Sequence, residues 1–420
     1  MPFRFVHTAD LHLDSPLRSL ALRDPGLSAL IGTATRSAVA RIVDLCLDEA
    51  VDALLIAGDL YDGSQTSMKT ARFLADQMGR LAAAGIAAFV IRGNHDAAAK
   101  ITRELVLPAT VKVFGPRAET VVLPRPDGPD IALHGISFRD PHAPDSLLPQ
   151  FAAARPGHLN IGMLHTSLNG APGHDPYAPC TLADLQATGY SYWALGHIHQ
   201  RAVYPGRTTV VMPGMPQGRD SGEAGPKSVT LVTLADDGTC DLAEHAVAAA
   251  QFDRITLPVQ GIDTWRDLVG ALETLLRQAR RDAIAPHLVL RPCLTGATPL
   301  AWQISRDLDL LTEQARAVAA DAGSLWIDKL ENLTWPGQGI DLTGPLAALQ
   351  DQMAGLADDP GLIHAGAEAA EALAKFLPRD LRQLFGQDAA STAAAVRQAQ
   401  TAGMAEILAA LQTSPLPGPS

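Results

Sequence analysis

The feature that most constrains this chain is an ordered series of short islands made of metal-binding residue types, most of them placed just after an apolar run. They are Asp10-Leu11-His12, Gly58-Asp59-Leu60-Tyr61-Asp62, Gly93-Asn94-His95-Asp96, His134, His165 and Gly196-His197-Ile198-His199, all in the first half of the sequence. The runs before them are Phe3–Val6, Ala53–Ala57, Ala88–Ile91, Leu159–Leu164 and Tyr192–Leu195. An α/β sheet presents functional side chains at the carboxyl ends of its strands, where the chain opens into loops. The pattern therefore predicts a sheet whose strand ends carry a polar, metal-binding site.

At 420 residues, 47% of them hydrophobic, the chain can form two or three domains of roughly 100–200 residues each. Met1-Pro2-Phe3-Arg4 runs straight into a strand, without the charged and apolar regions of a secretory signal. No run approaches the roughly 20 apolar residues that cross a bilayer. Cys46, Cys180, Cys240 and Cys293 are far apart and form no C-x-x-C pair, which argues against a disulfide framework or a cysteine zinc site. A soluble cytoplasmic protein is the expectation. The net charge of −12 argues against a large, sequence-independent nucleic-acid clamp. It leaves nucleic acid open as a substrate, because cations in a carboxylate-rich site add positive charge that a formal count omits.

Residues 1–250 alternate short apolar strands with helical stretches such as Thr33–Glu49 and Met68–Ala84, the mark of an α/β (α+β) domain. From Val121 the strands crowd together (Val121–Leu123, Ile131–Phe138, Thr208–Met212, Ser228–Leu234), which predicts a mixed sheet or two stacked sheets. Residues 251–335 read as a small α/β cap. Its expected strands are Arg254–Val259, His287–Leu294 and Ser324–Leu330, with helices at Thr264–Arg281 and Leu300–Ala320. Trp335 to Gly339 reads as a linker, residues 340–413 as a helical region and residues 414–420 as a disordered tail. Val396, Ala399, Gly403, Met404, Ile407, Leu408 and Leu411 recur at helical spacing as one apolar face. That face can pack on the chain's own cap or receive a partner.

In an extended segment, Asp10-x-His12 and His197-x-His199 each send two side chains to one side. Asp59 offers a carboxylate able to bridge two ions, Asn94 an amide oxygen, and His165, His197 and His199 imidazole nitrogens. Mixed nitrogen and oxygen ligation suits Mn, Fe or Zn better than Mg or Ca. Two such ions can supply an activated hydroxide and clamp both oxygens of an in-line displacement at phosphorus. His95 is the candidate general acid, and Asp96 is expected to orient its imidazole or cap the next turn. Arg18, Arg23, Lys69, Arg72, Lys100 and Arg103 follow the ligand strands and are candidate contacts to DNA phosphates.

The ordered set D-x-H, G-D-x-x-D, G-N-H-D, H, G-H-x-H resembles the calcineurin-like metallophosphoesterase superfamily. Within it the chain is similar to bacterial DNA repair exonucleases of the SbcD and YhaO type. That similarity rests on His7-Thr8-Ala9-Asp10-Leu11-His12, His165-Thr166-Ser167, His174-Asp175-Pro176-Tyr177-Ala178-Pro179-Cys180 and Tyr192-Trp193-Ala194-Leu195-Gly196-His197-Ile198-His199. Pro213-Gly214, Gly218-Arg219 and Gly225-Pro226-Lys227 complete it, and the loop and the Tyr-Trp run are most similar to the YhaO group. The resemblance implies a fold of helices layered on a mixed sheet core. It gives Asp10, His12, Asp59 and His199 to a first ion and Asp59, Asn94, His165 and His197 to a second, with manganese the usual metal and iron or zinc as alternatives. It makes His95 the catalytic histidine, gives Asp62 a supporting place behind the ligands, and matches His134 to no ligand position. Arg219 is expected to brace the loops around the site. The implied partners are DNA ends and single-stranded segments, an SMC-like coiled-coil ATPase, and a second copy in a homodimer.

The leading expectation is thus a metal-dependent exonuclease that hydrolyses phosphodiester bonds at DNA ends in repair. A calcineurin-like phosphatase or cyclic-nucleotide phosphodiesterase is the rival enzyme, because the same ions cleave either ester. A DNA-repair scaffold that has lost the chemistry is the rival of another class, and the intact ligand set argues against it.

Overall fold

The computed structural model describes residues 1–15, 25–61, 67–98, 107–169, 177–335, 345–356, 359–376 and 388–411. The chain divides into two compact units, residues 1–253 with 282–290 and 324–326, and residues 254–281 with 291–323 and 327–420.

The first unit opens as alternating strands and helices: β1 (Phe3–Thr8), α1 (Pro25–Asp48), β2 (Ala53–Ala57), α2 (Met68–Ala83), β3 (Ala87–Ile91), the short α3 (Asn94–Ala98) and β4 (Val111–Val113). It continues with β5 (Glu119–Leu123), β6 (Ile131–Gly135), β7 (Leu159–His165), α4 (Leu182–Ala187), β8 (Tyr192–Gly196), β9 (Ala202–Tyr204) and β10 (Thr209–Met212). Then β11 (Ser228–Leu234) and β12 (Cys240–Ala246) complete it. These strands make two sheets, ordered β12-β11-β1-β2-β3-β4 and β5-β6-β7-β8-β10-β9. Both are mixed. In the first, β1 runs parallel to β2 and antiparallel to β11, and in the second β7 is parallel to both β6 and β8 while β5 is antiparallel to β6.

The strand periodicity explains the layers. Val6, Leu54, Ile56 and Val90 pack with Ile42 and Val43 of α1 and with Ala71, Leu74, Met78 and Leu81 of α2. Their neighbours Phe5, Leu55 and Phe89 point the other way and meet Leu133, Ile161, Met163 and Tyr192 of the second sheet. Strand β2 is consequently buried at all five positions and reads as an unbroken apolar run. Trp193 and Leu195, on the outer face of the second sheet, pack with Leu185 of α4. Of the two arrangements expected from the crowding of strands, the stacked pair is the one formed.

The second unit takes β13 (Ala250–Pro258) from Arg254 onward, α5 (Trp265–Asp282), and β14 (His287–Ala297) from Arg291 onward. After these come α6 (Ala301–Arg306), α7 (Leu308–Ala322), β16 (Glu331–Trp335), α8 (Pro345–Leu356), α9 (Pro360–Ala374) and α10 (Ala389–Leu411), while β15 (Leu325–Ile327) belongs to the first unit up to Trp326. The helix expected at Leu300–Ala320 is therefore two, interrupted at Asp307, whose carboxylate is taken by Arg306. Aspartate favours such helix ends over helix interiors. Of the strand expected at Ser324–Leu330 only Leu325–Ile327 forms, and Asp328 just beyond it pairs with Arg291 at 2.5 Å. Trp335, expected in a linker, closes β16, which runs parallel to β14 from Cys293↔Glu331 to Ala297↔Trp335. The rest of that linker, Pro336 to Gly339, and the tail 414–420 lie outside the described residues. On α10, Val396 and Leu408 are buried whereas Ile407 and Leu411 are exposed, so the apolar stripe is split. Among the described residues no helix is long and apolar enough to cross a membrane.

Candidate metal centre

Asp10 and His12 follow β1, Asp59 follows β2, and Asn94 opens α3 just after β3. His165 closes β7, and His197 and His199 follow β8. One side of the site thus comes from each sheet. The loops after β1 and β2 run side by side: the Asp10, His12 and Leu13 amides donate to the Gly58, Asp59 and Leu60 carbonyls at 2.9, 3.1 and 2.9 Å. The third loop is fastened by Asp96, whose carboxylate accepts from the Leu60, Tyr61 and Gly93 amides, each at 3.1 Å.

The extended geometry expected of Asp10-x-His12 and His197-x-His199 is not what these segments adopt. Asp10, His12, Asp59 and His197 have φ of 53°, 41°, 54° and 99°. That left-handed region is uncommon for residues with a side chain and gathers at functional sites, where surrounding structure holds it in place. The ligating atoms converge all the same. One oxygen or ring nitrogen from each of Asp10, His12 and His199 lies within 4.8 Å of the others, and so does one from each of Asp10, Asp59 and His165. The Asp10 carboxylate also receives the His197 amide, at 3.2 and 3.1 Å from its two oxygens.

The tautomers follow from the partners. His165 Nδ1 lies 2.9 Å from the Ala57 carbonyl, which only accepts, so Nδ1 carries the proton. Its Nε2 then faces two oxygens, Asn94 Oδ1 at 3.1 Å and Asp59 Oδ2 at 3.4 Å. A lone pair aimed at two acceptors is repulsive unless a cation or a proton lies between them. His199 Nδ1 is 2.9 Å from Glu223 Oε1, which turns its Nε2 toward His12 Nε2 at 3.2 Å. Burial works to raise the Asp59 carboxyl, yet the imidazoles of His165, His12 and His95 outweigh it and hold the group below the ordinary carboxylate range. Burial opposes charge on His165 as well, and there Asp59 and Asp10 win, pulling it up to about 9. Asp10 is raised by burial against the pull of His165, His199 and His12. Asp96 is pushed up to about 7 by burial and by Asp59, and cations beside Asp59 would offset the second of these causes.

Two glycines leave the room this packing needs. A Cβ on Gly93 would stand 2.2 Å from Asp59 Oδ1 and 2.8 Å from His165 Nε2, and one on Gly196 would stand 2.1 Å from the Ala57 carbonyl oxygen.

His95 is exposed, and its ring meets that of His12 edge-on at 5.0 Å. Its amide donates to Asp59 Oδ1 at 3.0 Å. Asp96, expected from the sequence to orient the His95 imidazole or cap the next turn, places its carboxylate on the three loop amides. Arg219 donates to Glu223 through Nη2 at 2.6 Å and through its amide at 2.8 Å. Lys69 and Arg72 sit on exposed turns of α2, where Arg72 has Asp76 3.4 Å away. Arg18, Arg23, Asp62, Lys100 and Arg103 lie outside the described residues. His134 is engaged at both ring nitrogens, by Thr120 at 2.9 Å and Asn160 at 3.0 Å, and stacks on Tyr190. Sequence reasoning missed Glu223, although it sits between two runs already singled out, Gly218-Arg219 and Gly225-Pro226-Lys227.

The donor set of carboxylates, imidazoles and one amide fits a pair of divalent cations of the Mn, Fe or Zn type. The oxygen-facing Nε2 of His165 and the opposed Nε2 atoms of His12 and His199 are the features a cation would resolve.

Comparison with known proteins agrees with this chemistry. Residues 3–201 match the calcineurin-like phosphoesterase family, and residues 252–334 match the middle domain of the metallophosphoesterase YhaO. The chain is similar to an uncharacterized metallophosphoesterase YhaO of Bacillus subtilis, at 36% identity over 55% of this chain and 57% of that one. It is similar also to the DNA double-strand break repair protein Mre11 of Sulfurisphaera tokodaii, at 27% over 48% and 50%. A third relative is a subunit of the nuclease SbcCD of Rhodobacter capsulatus, at 25% over 68% of this chain and 79% of that one. The chain thus spans 57% and 50%, about half, of the first two relatives it matches.

Proposed function

Because this chain carries a calcineurin-like metallophosphoesterase domain followed by a segment of the YhaO middle-domain type, we propose that it is a metal-dependent phosphodiesterase that cuts DNA ends, a repair exonuclease. The observation that carries this reading is the convergence of Asp10, His12, Asp59, His165 and His199 at the ends of two sheets. The names of the relatives, a break-repair protein and a nuclease subunit, direct the choice of substrate.

In this reading Asp10, His12, Asp59 and His199 hold one cation and Asp59, Asn94, His165 and His197 the other, with manganese first in preference. Such ions, when bound, supply an activated nucleophile and neutralise charge on the phosphoryl group. The chain supplies the remainder. The exposed imidazole of His95 donates a proton to the leaving oxygen, and its amide bond to Asp59 fixes it beside the site. Glu223 fixes the ring of His199 through Nδ1, the arrangement by which an outer carboxylate orients a metal-binding histidine. Lys69 on the exposed face of α2 is a reserve contact for the DNA strand.

The test is turnover of end-labelled DNA against bis-p-nitrophenyl phosphate and 2′,3′-cyclic AMP, each with manganese. Release of labelled nucleotide supports the reading. Hydrolysis of the small esters alone would sink it in favour of a phosphatase or cyclic-nucleotide phosphodiesterase. The same reading assigns the exposed Ile407 and Leu411 of α10 to an SMC-like coiled-coil ATPase. Ile407→Asp combined with Leu411→Asp should then abolish co-purification with such an ATPase and leave the nuclease rate on simple ends unchanged. Retained co-purification would place the docking surface elsewhere.

A further inference from the structure

Four of the five residues that converge at the metal centre are fixed by burial: Asp10, His12, Asp59 and His165 are each no more than 2% exposed. His199 differs, with 27% of its side chain open to solvent. Its position therefore rests on what touches it, and three of those contacts come from one loop, residues 213–223. The Met215 amide donates to the His199 carbonyl at 3.2 Å. Gly214, at φ of 73°, passes so close that a Cβ would stand 2.8 Å from the same carbonyl oxygen. Glu223 takes the ring through Nδ1 and is itself held by Arg219.

Apart from the 3₁₀ turn Ser221–Glu223 this loop has no regular structure of its own, so its shape depends on bonds to firmer ground. Gln217 makes them. Its side chain is buried; Oε1 accepts from the Ala249 and Ala250 amides at 2.8 and 3.2 Å, and Nε2 donates to the Ala250 and Gly218 carbonyls at 2.7 and 2.8 Å. A side-chain amide offers two donors and two acceptor lone pairs, and all four are engaged. Neither a carboxylate nor a thioether of the same length reproduces that pattern. Ala249 and Ala250 are buried, and the Ala248 carbonyl before them is bound by Arg41 of α1. Beyond Glu223 the Gly225 amide donates to the Phe252 carbonyl at 2.8 Å. Gln217 thus lies two residues past Met215 and two before Arg219, between the backbone grip on His199 and the side-chain grip.

We propose that Gln217 is the positioning residue for His199: by fixing the 213–223 loop it sets the cation assigned to Asp10, His12, Asp59 and His199, and leaves the other cation untouched. The inference rests on the metal-centre reading above and deepens it. Outer partners of metal ligands change affinity by about 10–100-fold. Gln217 acts from one step further out, so the lower end of that range applies.

The test is a double-mutant cycle on the full chain, with manganese binding read by calorimetry. Wild type should bind two ions. Gln217→Met should weaken one of them by about ten-fold and leave the other unchanged. In a His199→Ala background the ion that remains should bind no more weakly when Gln217→Met is added, whereas in an Asn94→Ala background the remaining ion should show the full loss. An equal loss in both backgrounds would overturn the proposal, because a residue that only stabilises the fold acts in either. Unchanged affinity for both ions in Gln217→Met would overturn it too. If Gln217→Met does not fold, Gln217→Glu takes its place. That variant keeps the bonds to the two alanine amides, loses both donor bonds, and should show a loss confined to the same ion; a loss at the other ion, or none, would overturn the proposal. Selective loss of one ion in a protein that cuts no DNA would keep the positioning role and remove the nuclease reading. A wild type that binds no manganese would remove both.

Discussion

Acidification should loosen the first unit through a single ring, that of His7. The side chain is fully buried, with Nδ1 2.9 Å from the Tyr192 hydroxyl and Nε2 3.0 Å from the Leu195 carbonyl. Since a carbonyl only accepts, Nε2 carries the proton and Nδ1 receives the tyrosine O–H, which leaves a neutral ring with both nitrogens satisfied. Burial, helped by Arg201 and opposed by the Leu195 bond, pushes the imidazole down from 6.5 to about 3. The folded chain therefore refuses a proton that the unfolded chain accepts below about pH 6.5. The contribution of His7 to stability is complete above that value and is lost as the pH falls toward 3. Each pH unit is worth 1.36 kcal/mol, so the loss reaches about 2 kcal/mol by about pH 5. Urea unfolding at neutral and acid pH, with chelator present, would measure it in wild type and in His7→Gln, whose amide can serve the same two partners without titrating. The difference between the two profiles isolates His7 from every other group. Parallel profiles would refute the burial and tautomer assigned here.

The remaining predictions concern the metal centre. His95→Ala should keep both metals and lower the chemical step by about 10²–10⁴-fold, as read by metal analysis and single-turnover cleavage; undiminished cleavage removes His95 from the mechanism. Asp59→Ala should lose metal, because the proposed arrangement has one carboxylate serving both ions, and full occupancy by metal analysis would show the bridge to be misassigned. Gly196→Ala drives a Cβ against the Ala57 carbonyl at 2.1 Å; since backbone cannot step aside, about 1–3 kcal/mol of overpacking is expected, and an unchanged melting temperature would contradict the close approach. Since the carboxylates hold His165 up to about 9, metal uptake at neutral pH should displace its proton. Affinity should then rise with pH until about 9, and calorimetry in buffers of different ionisation heat that detects no proton release would exclude this.

The long elements were legible because burial on both faces leaves an unbroken apolar run, as in Ala53–Ala57, and because α2 repeats its apolar residues at helical spacing. β12 was not, because Cys240–Ala246 is a largely exposed edge whose residues Asp241 and Glu244 break any apolar pattern. α3 and α4, of 5 and 6 residues, are too short to show a period. In the site, the identity of the polar residues was readable island by island. Their backbone was not: the positive φ of Asp10, His12, Asp59 and His197 is imposed by loops pairing across strands far apart in sequence. Glu223 escaped for a related reason, and so did the ring contact that Tyr177 makes with His197. Each reaches a ligand histidine through a loop, from 24 and 20 residues away in sequence, and no local pattern announces such a contact.

The two sheets are stacked through apolar side chains, yet at one end they meet through Asp10, Asp59 and Asn94 on one side and His165, His197 and His199 on the other. A pair of ions there would act as rivets between the layers, and the ion concentration in the surroundings would set how often the seam opens. Protein made under metal starvation should breathe at that end first. Amides near Gly196 and His197 should exchange hydrogen faster with chelator than with manganese, while those in the middle of β2 should not change.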